Sequence, residues 1–203
     1  MTQQPATSTR FQPWGNPSGL LGRLAGWEMS RGKSALNEVL TELLPVSGDA
    51  SVLEVGFGPG ASLEHLLSRY PEARFAGVDP SELMRFQAAR RNRLAVREGR
   101  CDLRLAPAER LPFPDDSFSA AFTLNTVGFW SSQQEGFAEL ARVLEQRGSL
   151  VIGLRAQTGE PVEDASRLGE LIGRLQAVGF EATADQRKIG KQAMAFVTSH
   201  LAS

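Results

Sequence analysis

The chain has a single cysteine, Cys101, and two histidines, His65 and His200. One thiol cannot close an internal disulfide, and one Cys with two distant His cannot build a structural zinc site, so no metal is expected. Tyr70 is the sole tyrosine. No run approaches the roughly 18 consecutive apolar residues of a membrane-spanning helix. The opening stretch MTQQPATSTRFQPW lacks an apolar signal-peptide core, and a soluble, cytoplasmic protein is expected. Net charge is also missing, at −1, which removes the global electrostatic case for nucleic acid as the main partner. Lysine is scarce too: only three Lys stand among 22 basic residues, and seven Arg fall between Arg85 and Arg104.

What is present suits a packed domain. With 203 residues, 41% hydrophobic and 22% charged, the chain can bury a full core and is neither disordered nor collagenous. Residues 1–19 are rich in Pro, Gln, Ser, Thr and Gly, with Phe11 and Trp14 as the only large apolar groups. They read as an arm ordered by docking those rings. Leu20, Leu24 and Trp27 repeat at helical spacing. Leu36, Val39, Leu40, Leu43 and Leu44 then form an amphipathic stripe stopped by Pro45. Residues 1–45 therefore read as an arm and helical cap, and 46–203 as the main domain.

From Ala50 short apolar runs alternate with helical stripes. Strands are expected at Ser51–Gly56, Phe75–Val78, Cys101–Leu105, Phe118–Leu124 and Ser149–Leu154. Helices are expected around Leu63–Tyr70, from Ser81 through Arg91, around Phe137–Leu144, and from Ala165 to Leu175. Phe180–Gln186 and Gln192–Thr198 are two last strands joined too tightly to be parallel neighbours. The class is α/β: a mostly parallel sheet with helices on both faces, ending in an antiparallel hairpin.

The most informative segment is VLEVGFGPGA, residues 52–61. An apolar strand runs into Gly56, Gly58 and Gly60, and a helix follows. Such glycines take positive φ and let a ligand approach the backbone, while the helix start presents free N–H groups. Asp79 ends the second strand, 19 residues after Gly60, where a carboxylate can accept hydrogen bonds from both hydroxyls of a ribose. Together these describe an adenosine-containing ligand at the carboxyl edge of the sheet.

Gly56-x-Gly58-x-x-Ala61 also satisfies the dinucleotide fingerprint. A nicotinamide enzyme of this length would need Tyr-x-x-x-Lys, but Tyr70 is followed four residues on by Arg74. No length remains for a substrate domain, and Pro59 removes an amide donor where a pyrophosphate would want one. Gly32-Lys33-Ser34 looks like the end of a P-loop, but Trp27 occupies the required glycine position.

At these residues the chain resembles the class I S-adenosylmethionine-dependent methyltransferases, in the small type 11, ubiquinone-biosynthesis-like group. VLEVGFGPG is similar to the family's first motif and FAGVDPSELM to its ribose-binding strand end. AERLPFPDDSFSAAFTLNTVGFW is similar to the stretch through the fourth strand, and ELARVLEQRGSLVI to the segment before the fifth. GNPSGLLGRLAGWEMSRGKSALNEVL resembles the cap of bacterial members. The resemblance implies a Rossmann-like fold, a seven-stranded sheet in the order 3-2-1-4-5-7-6, and S-adenosyl-L-methionine as cofactor. It implies that Glu54, Gly56, Phe57, Gly58 and Gly60 surround the methionine part and that Asp79 binds the ribose. Pro80 and Met84 would lie beside the adenine, Ala108 and Glu109 at its edge, and Asn125 and Thr126 by the sulfonium.

Three departures stand out. Pro107 replaces an Asp common two residues before Glu109, so backbone groups would read the adenine amine. Ser119 stands where the family has Asp, and Gln146-Arg147 replace the usual Pro-Gly.

Transfer from a sulfonium requires proximity, in-line alignment and exclusion of water, with a base only if the acceptor must first lose a proton. No residue marks such a base; Asn125 and Trp130 are the catalytic candidates by position. His65 reads as helix packing, His200 as part of a frayed tail, and Cys101 as core. Glu28 and Arg31, and the rings of Trp14, Trp27 and Phe57, could face an acceptor. The expected acceptor is a small, partly apolar molecule. An RNA or protein methyltransferase gripping its substrate through Arg85–Arg104, or a module that binds the cofactor without turnover, are the alternatives; the arginine group otherwise reads as a solvated face. A homodimer is compatible with the sequence, which does not fix oligomeric state.

Overall fold

The computed structural model describes residues 34–155, 165–189 and 192–202. The arm, the first cap helix and their residues Trp14, Trp27, Glu28 and Arg31 lie outside the described residues.

Helix α1 (Ser34–Leu43) precedes strand β1 (Ser51–Val55), followed by α2 (Ala61–Arg69) and β2 (Arg74–Asp79). Helix α3 (Glu82–Arg91) gives way at Asn92 to a short α4 (Arg93–Arg97), and then come β3 (Cys101–Leu105) and β4 (Phe118–Leu124). A 3-10 turn at Val127–Phe129 leads to α5 (Gln133–Val143), β5 (Leu144–Arg155), α6 (Ala165–Gln176), β6 (Phe180–Ile189) and β7 (Gln192–Leu201). The sheet order is β3-β2-β1-β4-β5-β7-β6, as expected. Strands β3 through β5 are parallel, and β7 runs antiparallel between β5 and β6.

Period-two alternation sends each strand's side chains to opposite layers. Leu53, Val55, Ala121, Leu150 and Ile152 pack with Phe137 and Leu140 of α5 and Leu171 and Leu175 of α6. Val52, Phe75, Phe122 and Phe196 pack with Leu63 and Leu66 of α2 and Met84 and Ala88 of α3. The same layer takes in Leu36, Leu40 and Leu44, so α1 is seated on the sheet domain. Burying each large side chain contributes about 1.5–3 kcal/mol. Among the described residues no helix is long and apolar enough to cross a membrane.

Helix starts follow local chemistry. Ser81 and Ser132 cap α3 and α5, their hydroxyls accepting from the amides of Met84 and Glu135, and Ser132-x-x-Glu135 has the spacing of a capping box. The ends differ from expectation in two places. β5 begins at Leu144, five residues early, because Leu144 already pairs with Phe118 before a bulge restores register at Ser149 opposite Ala120. β7 continues to Leu201, so His200 sits in a strand, its Nε2 3.2 Å from Glu181 Oε2, and not in a frayed tail.

Arg147 occupies the bulge with φ +62°, a left-handed conformation in which a β-carbon is strained. Arg147→Gly should therefore raise stability by about 1 kcal/mol. Chemical denaturation reads the shift, and a midpoint that falls or stays put would show that the arginine side chain outweighs the strain.

Candidate functional site

The glycine loop is shaped by three left-handed residues, Gly56 (φ +78°), Gly58 (+52°) and Gly60 (+75°). Their surroundings give them different jobs. A β-carbon on Gly56 would lie 2.3 Å from Thr126 Cγ2, and one on Gly60 would lie 2.9 Å from Ala88 Cα. Those two glycines permit close packing beneath the loop. A β-carbon on Gly58 would meet nothing within 4 Å. Gly58 thus presents bare backbone to open space at the carboxyl edge. The Gly56 amide continues the sheet by donating to the Val78 carbonyl at 2.8 Å. Phe57 turns inward: its ring is fully buried beneath Gly77. This corrects its expectation as an acceptor wall, because a ring filling the core offers no surface to a ligand.

Asp79 is 7% exposed. Its Oδ2 accepts the Gly58 amide and its Oδ1 the Ser81 amide, both at 2.9 Å. One carboxylate therefore fastens the glycine loop to the start of α3. Each oxygen can accept a second hydrogen bond. Burial raises the Asp79 pKa above the usual aspartate value, and the Ser81 and Gly58 amides pull it back only in part. Pro80 is exposed beside it, Met84 packs into the core, and Leu105, half-exposed, is Asp79's partner across the β2–β3 pairing.

The loop is held from the other side by residues that sequence reasoning missed. Asn92 Nδ2 donates to the carbonyls of Gly60 (3.1 Å) and Ala88 (3.0 Å). Arg91 Nε donates to the Pro59 carbonyl at 3.0 Å, and its guanidinium pairs with Glu64 at 2.8 Å. Arg91 therefore does not belong to a merely solvated arginine face. The break in helical pattern at Asn92 was its available signal, since Asn favours such chain turns.

After β4 the chain turns on Asn125, which holds φ +59°. Its Oδ1 is buried without a hydrogen-bond partner, an arrangement that costs about 1–3 kcal/mol unless something occupies the site. Thr126 beside it is committed to structure: its hydroxyl bonds Thr123, lies 3.4 Å from the Val55 carbonyl and accepts Trp130 Nε1 at 3.2 Å. Trp130 packs edge-on against Phe137, with Gly136 directly beneath it. Its one N–H is used, so Trp130 is placed to position Thr126. Phe129, which the sequence did not single out, stands 48% exposed on the turn between them.

Ala108 is buried in the core. Glu109 Oε1 accepts Ser131 Oγ at 2.8 Å and the Ser132 amide at 3.0 Å. Burial pushes its pKa up, but those hydrogen bonds outweigh it and the net direction is down. The carboxylate is thus a clasp to the start of α5. Glu54 is buried on β1 among the α2 layer. The site brings together the three glycines, Asp79, Asn125 and Thr126 at one edge, while Phe57, Met84 and Ala108 line the interior below.

His65 Nε2 lies 3.0 Å from Thr41 Oγ1, joining α2 to α1. Cys101 is buried, and burial first, then the charges of Glu54 and Asp102, push its thiol up to about 12. At pH 8 about one thiol in 10⁴ would ionise. Native protein should therefore resist Ellman's reagent for hours and yield one equivalent of reactive thiol only in denaturant. Prompt native labelling would contradict the geometry.

Comparison with known proteins gives this geometry a family. A profile described as a methyltransferase domain matches residues 53–152. The chain is 29% identical over 160 residues to the uncharacterized methyltransferase YdaC of Bacillus subtilis (strain 168), covering 78% of this chain and 86% of that one. It is 36% identical over 107 residues to the ubiquinone/menaquinone biosynthesis C-methyltransferase UbiE of Geobacter sulfurreducens, covering 50% of this chain and 40% of the relative. The fold superposes on a SAM dependent methyltransferase from Aquifex aeolicus with a TM-score of 0.73 at 18% identity, covering 88% of this chain and 97% of that structure. With the sheet order and the glycine loop, these matches place the chain among the class I S-adenosylmethionine-dependent methyltransferases of the type 11 group.

Proposed function

We propose that the chain methylates a small, partly apolar acceptor, held against the turn that follows β4. The observation that carries this reading is Phe129, a large ring half-exposed five residues after the end of β4, on the same turn as Asn125, whose side-chain carbonyl is buried and unpartnered. An apolar surface beside an unsatisfied polar atom suits a ligand with both characters. The relationship to a quinone-biosynthesis methyltransferase supports the same class.

The residues fit the cofactor. Gly58 leaves open space over its backbone, Asp79 keeps free acceptor positions for two ribose hydroxyls, and Asn125 holds an oxygen awaiting a positive or polar neighbour. S-adenosylmethionine supplies a methyl group already activated on sulfur. Gly56, Gly58 and Gly60 would shape the methionine cradle, with Glu54 on the strand beneath. Pro80 and Leu105 would flank the adenine, and backbone at 107–109 would read its edge. Asn125 orients, Trp130 fixes Thr126, and the exposed Phe129 ring helps keep water from the transfer path. None of these side chains need be a base.

The test follows label from methyl-tritiated S-adenosylmethionine in a cell extract. Label in the low-molecular-weight, solvent-extractable fraction is expected. Label confined to precipitable RNA or protein would overturn the small-molecule reading, and no calorimetric binding at millimolar cofactor would overturn the site.

A further inference from the structure

The seven arginines between Arg85 and Arg104 fall into two groups. Arg91 holds the glycine loop, Arg100 pairs with Glu98 at 2.9 Å, and Arg104 pairs with Asp102 and covers the Phe113 ring at 4.4 Å. Arg85, Arg90, Arg93 and Arg97 are exposed and make no ion pair among the described residues. From Leu83 to Arg97 the sequence contains no acidic residue at all. Among these arginines stand the most exposed large apolar side chains of the described residues, Phe86 at 65% and Leu94 at 61%, with Val96 at 37%. Met84, Ala88 and Ala95 face inward, so α3 and α4 carry an outward face built of guanidinium groups and hydrophobic tips.

We propose that this α3–α4 face docks the protein on an anionic lipid surface. The face combines the two terms that hold a basic amphipathic segment at a bilayer: attraction of arginine to headgroup phosphate, and burial of apolar tips in the acyl boundary. Arginine is suited to this, since its stem can lie along apolar surface while its head stays with the phosphates. RNA would use the charge and could stack on Phe86, but it offers nothing to Leu94 and Val96. The chain's own residues 1–33 are no match for the face, because they carry Arg10, Arg23, Arg31 and Lys33 against the single acid Glu28. The face lies apart from the turn after β4, so docking is independent of which acceptor the site takes.

Sedimentation with vesicles tests it, using the full chain and mixtures of phosphatidylglycerol and phosphatidylcholine against phosphatidylcholine alone. Binding is expected only to the anionic vesicles and should fall with salt. Arg90→Gln/Arg93→Gln should weaken it about 25-fold, at about fivefold per charge. Phe86→Ser/Leu94→Ser should weaken it at least tenfold at unchanged charge. Both variants should keep wild-type melting temperature and S-adenosylmethionine affinity, which separates failure here from failure of the methyltransferase site. Wild type that ignores anionic vesicles overturns the proposal, as does binding unaffected by the Phe86 and Leu94 changes. Preferential binding of a 20-nucleotide RNA that competes with vesicles would assign the face to nucleic acid instead. Self-association abolished by the same substitutions would assign it to a second copy.

Discussion

Asp79→Ala should weaken S-adenosylmethionine binding by about 10²–10⁴-fold while leaving the chain folded, as read by titration calorimetry and circular dichroism. The magnitude comes from two hydrogen bonds to an ionised acceptor, each worth about 1.5–3 kcal/mol. The loop suffers as well, because the Gly58 and Ser81 amides lose the oxygens that align them. Asp79→Asn is the sharper variant. It keeps the shape, but its NH₂ must oppose one of those two amides, donor against donor, and affinity should drop nearly as far.

The pH dependence has a fixed sign. Burial raises the Asp79 pKa, so the folded state holds the proton more tightly than the unfolded state does. Ionisation then costs stability as pH rises from the unfolded value through the folded one, and above the folded value that cost is fully present. Binding runs the other way, since only the ionised group can accept from both ribose hydroxyls. Affinity should fall as pH drops through the raised pKa, beginning above the range where an ordinary aspartate protonates. Asp79→Asn should remove that pH dependence. An Asn variant binding within tenfold of wild type would exclude Asp79 as the ribose acceptor.

The sheet was readable because its signals are local and periodic. Phe118–Leu124 is an uninterrupted apolar run, and the observed β4 has those same ends. The hairpin of β6 and β7 followed from a connection too short for a crossover. The tie from the Asn92 side chain to the glycine loop and the early start of β5 were not readable. Each depends on a partner distant in sequence: the Gly60 carbonyl 32 residues before Asn92, and Phe118 opposite Leu144.

The site divides the same way. Gly56, Gly58, Gly60 and Asp79 announce themselves because backbone conformation and spacing restrict the residue types that can stand there. The sequence could not say that Gly58 faces open space while Gly60 faces Ala88. It could not show that Phe57 fills the core, nor that Glu109 is used on Ser131 and Ser132. Side-chain direction is decided by tertiary packing. Pattern locates the loop, and packing assigns the individual jobs.

Arg142→Ala should cost about 2–3 kcal/mol of stability and lower the melting temperature by about 4–12 °C. The reason lies in the long β3–β4 connection, which contains no helix to hold it. Arg142 does that from α5. Its Nε and Nη2 grip the two oxygens of Glu139 at 2.7 and 2.8 Å. Nη1 reaches the Phe113 carbonyl (2.8 Å) and Asp115 Oδ1 (2.7 Å), and Nη2 the Leu111 carbonyl (3.0 Å). Glu139 Oε2 accepts the Leu111 amide at 2.7 Å, closing the clasp. A third of the arginine side chain remains exposed, so screening keeps the cost below that of a fully buried pair.

The hydrogen bond from Arg142, opposed by some burial, holds the Glu139 carboxyl below the usual glutamate value. Its contribution is therefore present above the unfolded pKa and lost as pH falls through the lowered folded value. The gap in melting temperature between wild type and Arg142→Ala should be constant from pH 8 to 6 and narrow only in strong acid. Arg142→Lys should recover less than half of it, because an ammonium cannot span Glu139, Leu111 and Phe113 together. The clasp also anchors the connection that carries residues 107–109, so cofactor affinity should fall by only severalfold in Arg142→Ala. A variant that melts within 2 °C of wild type would mean that the connection is held by its apolar residues, Leu111 and Phe113, and that the polar clasp adds nothing to it.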